Sequence, residues 1–265
     1  MNTAITIESR GPIDILTMNR PDALNAINIE MAESLTTYFT EAKRRKDVRV
    51  VILRGEGKHF SAGADLDSEA FVPSGEGRAQ KQMEMQHLYS GLVKVMRQCP
   101  QPIIALMHGA AVGGGFSLSL AADVRIAAPN ARMNAGYIRI GLGGCDMGSG
   151  YFLPRLVGVS AASEILLTGN FVNAERALAI GLVSQIVEQD ALLDEGIKIA
   201  EAMTLASPMG LRLTKESINS SLGAASLDSV LTMEDRQQVI LLDTEDHREA
   251  VQAFLEKRAP VYRDC

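Results

Sequence analysis

The sequence predicts an α/β fold with a helical C-terminal part, and three observations support this prediction. Near-continuous apolar runs at 48–53 and 103–107 are typical of parallel strands that are buried on both faces. Segments with apolar residues at helical spacing lie between such runs, so strand and helix alternate. From about residue 160 onward, nearly every segment has helical spacing. These features indicate a largely parallel core followed by helices.

The N-terminal strands are predicted from alternating, β-branched residues at 3–8 and 12–18, on either side of Gly11. Pro100 and Pro102 end a later helix because proline cannot continue one. Residues 67–79 are acidic and contain glycine and proline, which predicts a mobile loop. The other predicted elements, in chain order, are helix 28–45, strand 48–53, helix 80–98, strand 103–107, a helix from near Gly115, strand 124–127 and a short strand at 183–187.

Composition excludes several classes of protein. The formal net charge of −6 and the isoelectric point near 5.3 argue against a nucleic-acid-binding protein. No apolar run is long enough to cross a membrane, and the N-terminus does not resemble a signal peptide. Three scattered cysteines fit a reducing compartment, and we therefore expect a cytoplasmic protein. Motifs typical of metal ligands are absent from the sequence, which predicts no metal site.

Two turns rich in small residues carry the clearest chemical signal. Gly113, Gly114 and Gly115 lie between an apolar strand and a helix, where backbone N–H groups can face an anion. Residues 61–66 (SAGADL) follow another strand and also leave the main chain accessible. Two such turns can present two N–H groups to one carbonyl oxygen, which is the geometry of an oxyanion hole. Tight turns that serve only close packing are the alternative.

Several spaced motifs together resemble the crotonase (enoyl-CoA hydratase/isomerase) superfamily over nearly the whole chain. They are NRPDALNAI, HFSAGADL, IIALMHGAAVGGG, LPRLVG, the LLTG to GLVSQIV run and the tail EAVQAFLEKRAP. The resemblance implies a core of repeated ββα units over 1–195 and a helical trimerisation region over 196–265, in one continuous unit. It also implies an acyl-CoA thioester substrate, a homotrimer or dimer of trimers, and no cofactor such as a metal, nicotinamide or flavin.

The resemblance also assigns roles to residues of this chain. The thioester carbonyl is expected between the N–H groups of Ala64 and Gly114. Phe254 and Lys257 match tail positions that contact the coenzyme A of a neighbouring subunit. The residues expected to line the coenzyme A path are Asp22, Ala23, Leu24, Ala62, Asp65 and Leu66.

This chain departs from the hydratase pattern at the acids. Hydratases of the family use two glutamates, and the matching positions here are Ser117 and Tyr137. Neither hydroxyl can replace a carboxylate as a base without strong activation. Asp146 resembles an acid used by the dienoyl-CoA isomerase and 4-chlorobenzoyl-CoA dehalogenase branches. We therefore interpret Asp146 as the main acid/base group, with Ser117 and Tyr137 as further site residues.

Three functions remain open from the sequence. The first is an enoyl-CoA hydratase/isomerase, with hydratase as the nominal label and a dienoyl-CoA isomerase-like reaction as its variant. The second is an acyl-CoA hydrolase or dehalogenase that uses Asp146. The dehalogenase branch uses a histidine where this chain has Ser90, and His87 lies one turn earlier. The third is a crotonase homologue that binds acyl-CoA without turnover.

Overall fold

The computed structural model describes residues 3–67 and 76–265. Most of the predicted mobile loop at 67–79 lies outside these residues. The strands are β1 (Ile5–Arg10), β2 (Ile13–Met18), β3 (Val50–Gly55), β4 (Ile103–Met107), β5 (Ala110–Val112), β6 (Val124–Ala127), β7 (Arg132–Asn134), β8 (Val172–Asn173) and β9 (Gln185–Ile186). The helices are α1 (Ile29–Ala42), α2 (Arg78–Gln98), α3 (Gly114–Ala121), α4 (Ser149–Val157), α5 (Val159–Thr168), α6 (Ala174–Ala179), α7 (Leu192–Thr204), α8 (Pro208–Ser221), α9 (Leu227–Leu242) and α10 (Glu245–Glu256).

The main sheet has the strand order β1-β2-β3-β4-β6-β9. Strands β1 and β2 form an antiparallel hairpin, and Gly11 makes its turn with φ of 57°. All other neighbours in this sheet are parallel, with Ile13 opposite Val50 and Val51 opposite Ile103. Strands β3 and β4 are buried along almost their whole length. The α/β prediction is therefore confirmed, and the apolar runs form the centre of the sheet.

A second, smaller sheet has the order β5-β7-β8 and was not predicted. Its strands contain two or three residues each, which is too short to give a recognisable alternation. β5 follows β4 directly and runs into α3, so this part of the chain has the predicted ββα arrangement. The small sheet continues from the main sheet toward the N-terminus of α3. It positions the glycine triplet.

Two apolar layers cover the faces of the main sheet. One contains α1, α2 and α3, with large buried side chains that include Phe39, Phe60 and Phe116. The other is made by α7, which packs on β2, β3, β4 and β6. Gly196 allows this contact because a Cβ there would lie 2.9 Å from Leu106. Burial on both faces explains why these strands are apolar throughout.

The C-terminal helices α8, α9 and α10 follow α7 and complete the helical part that the sequence predicts. The expected boundary between residues 195 and 196 falls within α7. α8 begins with Ser207 as its cap, which accepts a hydrogen bond from the N–H of Gly210. α9 has no buried residue and contacts α8 and α10. Within the described part of the chain, no helix is long and apolar enough to span a membrane.

Candidate active site

The loop at 61–65 is held between two other segments by backbone pairing. Ser61 pairs with Ala111 of β5, donating to the oxygen of Ala110 at 3.0 Å and accepting from Val112 at 3.0 Å. On its other side, Ile27 donates to Gly63 at 2.7 Å and accepts from Asp65 at 3.0 Å. The N–H of Asp65 is used by this pairing, and the N–H of Gly63 donates to the hydroxyl of Ser61 at 3.2 Å, whereas the N–H of Ala64 is unpaired among the described residues. The loop is therefore held in place on both sides, and the N–H of Ala64 is available to bind a ligand.

The N–H of Gly114 is the second spare donor. It is the first residue of α3, whose leading N–H groups have no acceptor within the helix. The backbone nitrogen of Ala64 lies 3.6 Å from the position that a Cβ on Gly114 would take. A Cβ on Gly115 would lie 2.6 Å from the Cβ of Ser61. Gly115 therefore allows close packing, and Gly114 lies beside Ala64, while the oxyanion role of the two N–H groups stays a prediction.

These two donors line one cavity of about 130 Å³. Its wall is mostly apolar. The lining residues are Ala62, Gly63, Ala64, Leu66, Gln86, Tyr89, Val112, Gly113, Gly114, Gly136, Tyr137, Ile140, Leu142, Asp146 and Met147. Among these described residues, Asp146 is the only carboxylate. A pocket with an apolar wall and a few convergent polar groups is typical of a small-molecule site.

Asp146 lies half-buried in the glycine-rich segment before α4. Its Oδ1 accepts a hydrogen bond from the backbone N–H of Met147 at 2.7 Å and one from Nε2 of Gln86 at 2.5 Å. Its own backbone N–H donates to the hydroxyl of Ser149 at 3.0 Å. The structure places Asp146 in the cavity wall, and its role as the acid/base group stays a prediction. Gln86 was not singled out from the sequence.

Ser117 and Tyr137 meet beneath the cavity. Their hydroxyl oxygens are 2.5 Å apart, Ser117 also donates to the backbone oxygen of Asp146 at 3.1 Å, and Tyr137 donates to that of Gly113 at 3.0 Å. Two hydroxyl protons cannot serve three acceptor contacts at once. At most two of the three contacts are therefore hydrogen bonds at one time, and together they connect the glycine triplet to the Asp146 segment. Ser117 is fully buried, and Tyr137 reaches the cavity wall.

Burial raises the pKa of Tyr137 to about 12, although hydrogen bonds from Ser117 and Ser149 oppose this effect. The phenol therefore stays protonated at neutral pH.

The pKa of Tyr137 is higher in the folded protein than its value of about 10 in the unfolded chain. The protonated phenol therefore contributes to the free energy of unfolding fully below pH 10, and this contribution is lost as the pH rises toward 12. The free energy of unfolding of wild type should fall between pH 9 and pH 11. For Tyr137→Phe, which lacks the titrating phenol, we expect this fall to be smaller by about 1 kcal/mol. Urea denaturation of both proteins at the two pH values measures this difference, and equal falls would contradict it.

The comparison with known proteins now identifies the family. A family model described as enoyl-CoA hydratase/isomerase matches residues 8–265. The chain belongs to the enoyl-CoA hydratase/isomerase family. A protein of Mycobacterium tuberculosis H37Rv named probable enoyl-CoA hydratase EchA12 is 40% identical over 258 residues, covering 96% of this chain and 90% of the relative. The 1,2-epoxyphenylacetyl-CoA isomerase of Escherichia coli K12 is 34% identical over 247 residues, covering 93% of each chain.

Solved structures of the family confirm the crotonase-like fold. A putative enoyl-CoA hydratase from Streptomyces coelicolor A3(2) superposes with a TM-score of 0.92 at 32% identity, covering 99% of this chain and 94% of the other. The predicted membership of the crotonase superfamily is thus confirmed. The prediction of an enzyme that acts on acyl-CoA is confirmed as well. Within the described residues, no group of side chains is arranged to hold a metal ion.

The two segments expected along the coenzyme A path are joined by a backbone hydrogen bond. Asp22 and Ala23 belong to the short 3-10 helix Pro21–Ala23, and Leu24 follows with φ of 53°. The backbone oxygen of Leu24 accepts a hydrogen bond from the N–H of Ala62 at 2.9 Å. The side chains of Leu24 and Leu66 are about half exposed.

Asp65 has a different contact from the others. Its carboxylate pairs with Arg20 at 2.8 Å, and Arg20 also donates to the backbone oxygen of Ala26. The carboxylate therefore holds the 61–66 loop against the 20–26 segment. The role expected for Asp65 in coenzyme A binding stays a prediction, as do those of Asp22, Ala23, Leu24, Ala62 and Leu66.

Phe254 and Lys257 lie near the C-terminal end of α10 and do not line the cavity of their own chain. Phe254 is 82% exposed, and Lys257 ends the helix in a left-handed conformation with φ of 54°. The neighbouring Arg258 pairs with Glu249 at 2.6 Å. A contact with the coenzyme A of another subunit stays a prediction for both residues.

The histidines do not form part of the cavity wall. His87 is exposed on α2, and neither it nor Ser90 lines the cavity. His108 is buried against the backbone oxygen of Gly57 at 3.0 Å, and burial lowers its pKa. From the same helix as His87, Gln86 and Tyr89 do line the cavity. Their spacing of three residues on a helix was the sequence signal that could have indicated a shared face.

Proposed function

We propose that this enzyme shifts the double bond of an enoyl-CoA thioester, with Asp146 as the group that carries the proton. One observation supports this most strongly. Among the described residues that line the cavity with the Ala64 and Gly114 donors, Asp146 is the only carboxylate. One carboxylate can remove a proton and return it elsewhere, whereas the family's usual hydration uses two acids to hold and activate water. A single-base isomerase is therefore the simpler chemistry for this cavity.

The proposed reaction has two proton transfers. With a 3-enoyl-CoA, a carboxylate oxygen of Asp146 takes a proton from C2, and the electrons of that C–H bond form a dienolate. The negative charge develops on the thioester oxygen, where the N–H groups of Ala64 and Gly114 stabilise it. The carbonyl then re-forms, the double bond moves to C2–C3, and the carboxyl of Asp146 returns the proton to C4. Atoms and charge balance, and the product has the mass of the substrate.

Ser117 and Tyr137 have supporting roles in this proposal. A phenol with its pKa raised to about 12 stays neutral at pH 7 and cannot act as a base. Its hydrogen bond to the oxygen of Gly113 holds the same peptide group that carries the N–H of Gly114. The hydroxyl of Ser117 contacts the backbone of Asp146. The pair therefore connects the oxyanion donors with the base.

Hydration is the second candidate, and the relatives favour it. The Mycobacterium tuberculosis relative is named a probable enoyl-CoA hydratase, and a relative of Thauera aromatica that is 34% identical is named (E)-benzylidenesuccinyl-CoA hydratase. In this version, Asp146 alone activates water for addition at C3. The oxyanion donors have the same role in both reactions, because both pass through an enolate.

A panel of thioesters distinguishes the candidates. We expect purified protein to convert trans-3-hexenoyl-CoA or trans-5-phenylpent-3-enoyl-CoA to the isomer conjugated with the thioester, which mass spectrometry detects as a product of unchanged mass with a new retention time. A gain of one water on trans-2-hexenoyl-CoA alone would favour hydration. Release of free coenzyme A would favour the hydrolase-like alternative. Binding without any product would favour a non-catalytic acyl-CoA-binding protein.

We also propose that the protein assembles as a homotrimer or dimer of trimers in the cytoplasm, through the region 196–265. The support is an unusually apolar surface on the last two helices. The exposed large apolar residues of these helices are Leu227, Leu231, Val239, Ile240, Leu242, Val251, Phe254 and Leu255. In such an assembly, Phe254 and Lys257 would contact the coenzyme A of a neighbour. Sedimentation equilibrium should give a mass of three or six chains, and a monomer would contradict the proposal.

A further inference from the structure

Gln86 connects two elements that are otherwise separate in the chain. It lies on α2, one turn before Tyr89, which is the first buried residue of that helix. Its Nε2 donates to Oδ1 of Asp146 at 2.5 Å, across a separation of 60 residues. Both residues line the same cavity. The contact therefore lies within the site and not on a remote surface.

The hydrogen bonds of the Asp146 carboxylate are unevenly distributed. Both donors that it meets among the described residues, Gln86 and the N–H of Met147, bind Oδ1. Oδ2 is left with no donor from the described part of the chain. A carboxylate with one oxygen held by two donors has a fixed orientation and one oxygen free to accept a proton. The N–H of Met147 is adjacent in sequence, so Gln86 is the only one of the two donors that fixes the carboxylate relative to another element.

From this arrangement we infer that Gln86 is a positioning residue for the proton transfer. It holds the carboxylate of Asp146 so that Oδ2 faces the substrate carbon, and it does not itself exchange a proton with the substrate. This inference rests on the proposed function, because it assigns to Gln86 a role that acts through Asp146.

Three variants test this role with trans-3-hexenoyl-CoA and trans-5-phenylpent-3-enoyl-CoA as probes. Gln86→Leu keeps the approximate size of the side chain and removes the donor. Because a hydrogen bond to a charged group is lost, we expect kcat to fall about tenfold with KM changed less than twofold. Gln82→Leu is the matched control, since Gln82 is exposed one turn earlier on α2 and does not line the cavity. It should leave both constants unchanged.

Gln86→Glu provides a readout that a structural role would not change. As an anion, the new carboxylate repels Asp146, but when protonated it can donate a hydrogen bond in place of the amide. We expect the kcat of Gln86→Glu, divided by that of wild type, to rise as the pH falls from 8 to 6, whereas the ratio for Gln86→Leu stays constant. A constant ratio for both variants would overturn the positioning role.

The outcomes separate this inference from the proposed function. If wild type shifts the double bond of neither probe, the isomerase proposal is wrong, and so is the role of Gln86. If wild type is active and Gln86→Leu retains its kcat, only the role of Gln86 is wrong. A fall in kcat with an equal rise in KM would instead indicate that Gln86 contributes to substrate binding, which also overturns the inference.

Discussion

Asp146→Asn is expected to reduce kcat for the double-bond shift by about 10²- to 10⁴-fold, because the amide cannot accept and return a proton. The substitution keeps the size of the side chain, and Oδ1 of the asparagine can still accept from Gln86 and Met147. We therefore expect the affinity for a saturated analogue, hexanoyl-CoA, to change little. Steady-state kinetics with the two 3-enoyl-CoA probes and calorimetric titration with hexanoyl-CoA measure the two effects.

The control for this experiment is Asp190→Asn. Asp190 is exposed in the short 3-10 helix Gln189–Ala191 and is not part of the cavity. It should retain full activity, which excludes an effect of the net charge alone. If Asp146→Asn keeps the wild-type kcat, Asp146 is not the proton carrier. If it loses affinity for hexanoyl-CoA together with activity, Asp146 acts in binding.

The sequence predicted the parts of the site that depend on short segments. The runs at 48–53 and 103–107 are apolar because helices cover both faces of the main sheet, so their burial is visible in the sequence. The two turns after strands can be recognised as accessible main chain because their residues are small. The choice of Ala64 and Gly114 as donors rests on the resemblance and stays a prediction.

Other parts depend on contacts between distant segments and could not be predicted. The small sheet forms when β5 pairs with β7 about twenty residues later, and neither strand is long enough to show alternation. Helix α4 contains Pro154, which argues against a helix when it is considered alone. The bond between Gln86 and Asp146 joins residues 60 positions apart, and only the folded chain brings them together.

The hydroxyls of Ser117 and Tyr137 illustrate the same limit. The resemblance predicts both as site residues, but neither residue type indicates a contact between them. The structure joins them through their oxygens and connects each to a backbone carbonyl of the site. Their chemical meaning therefore comes from this contact and not from either residue type.

Gly63→Ala is expected to damage the oxyanion hole itself. Gly63 has φ of 92°, and a Cβ there would lie 2.6 Å from the backbone oxygen of Val112 and 3.3 Å from the nitrogen of Gly114. Because those neighbours are backbone atoms, the two turns must move apart. Loss of one aligned donor typically reduces kcat by about 10²- to 10³-fold. We expect such a loss for Gly63→Ala, together with a fall of about 1–3 kcal/mol in the free energy of unfolding.

The matched control is Gly11→Ala, which separates backbone strain from crowding. Gly11 also has a positive φ, of 57°, but nothing lies within 4 Å of the position of its missing Cβ. It lies in the β1–β2 turn, away from the cavity. It should lose about 1–2 kcal/mol of stability for the left-handed conformation and keep its kcat. If both variants lose stability but neither loses activity, the Ala64 and Gly114 donors do not stabilise the transition state, because displacing them would then have no catalytic cost.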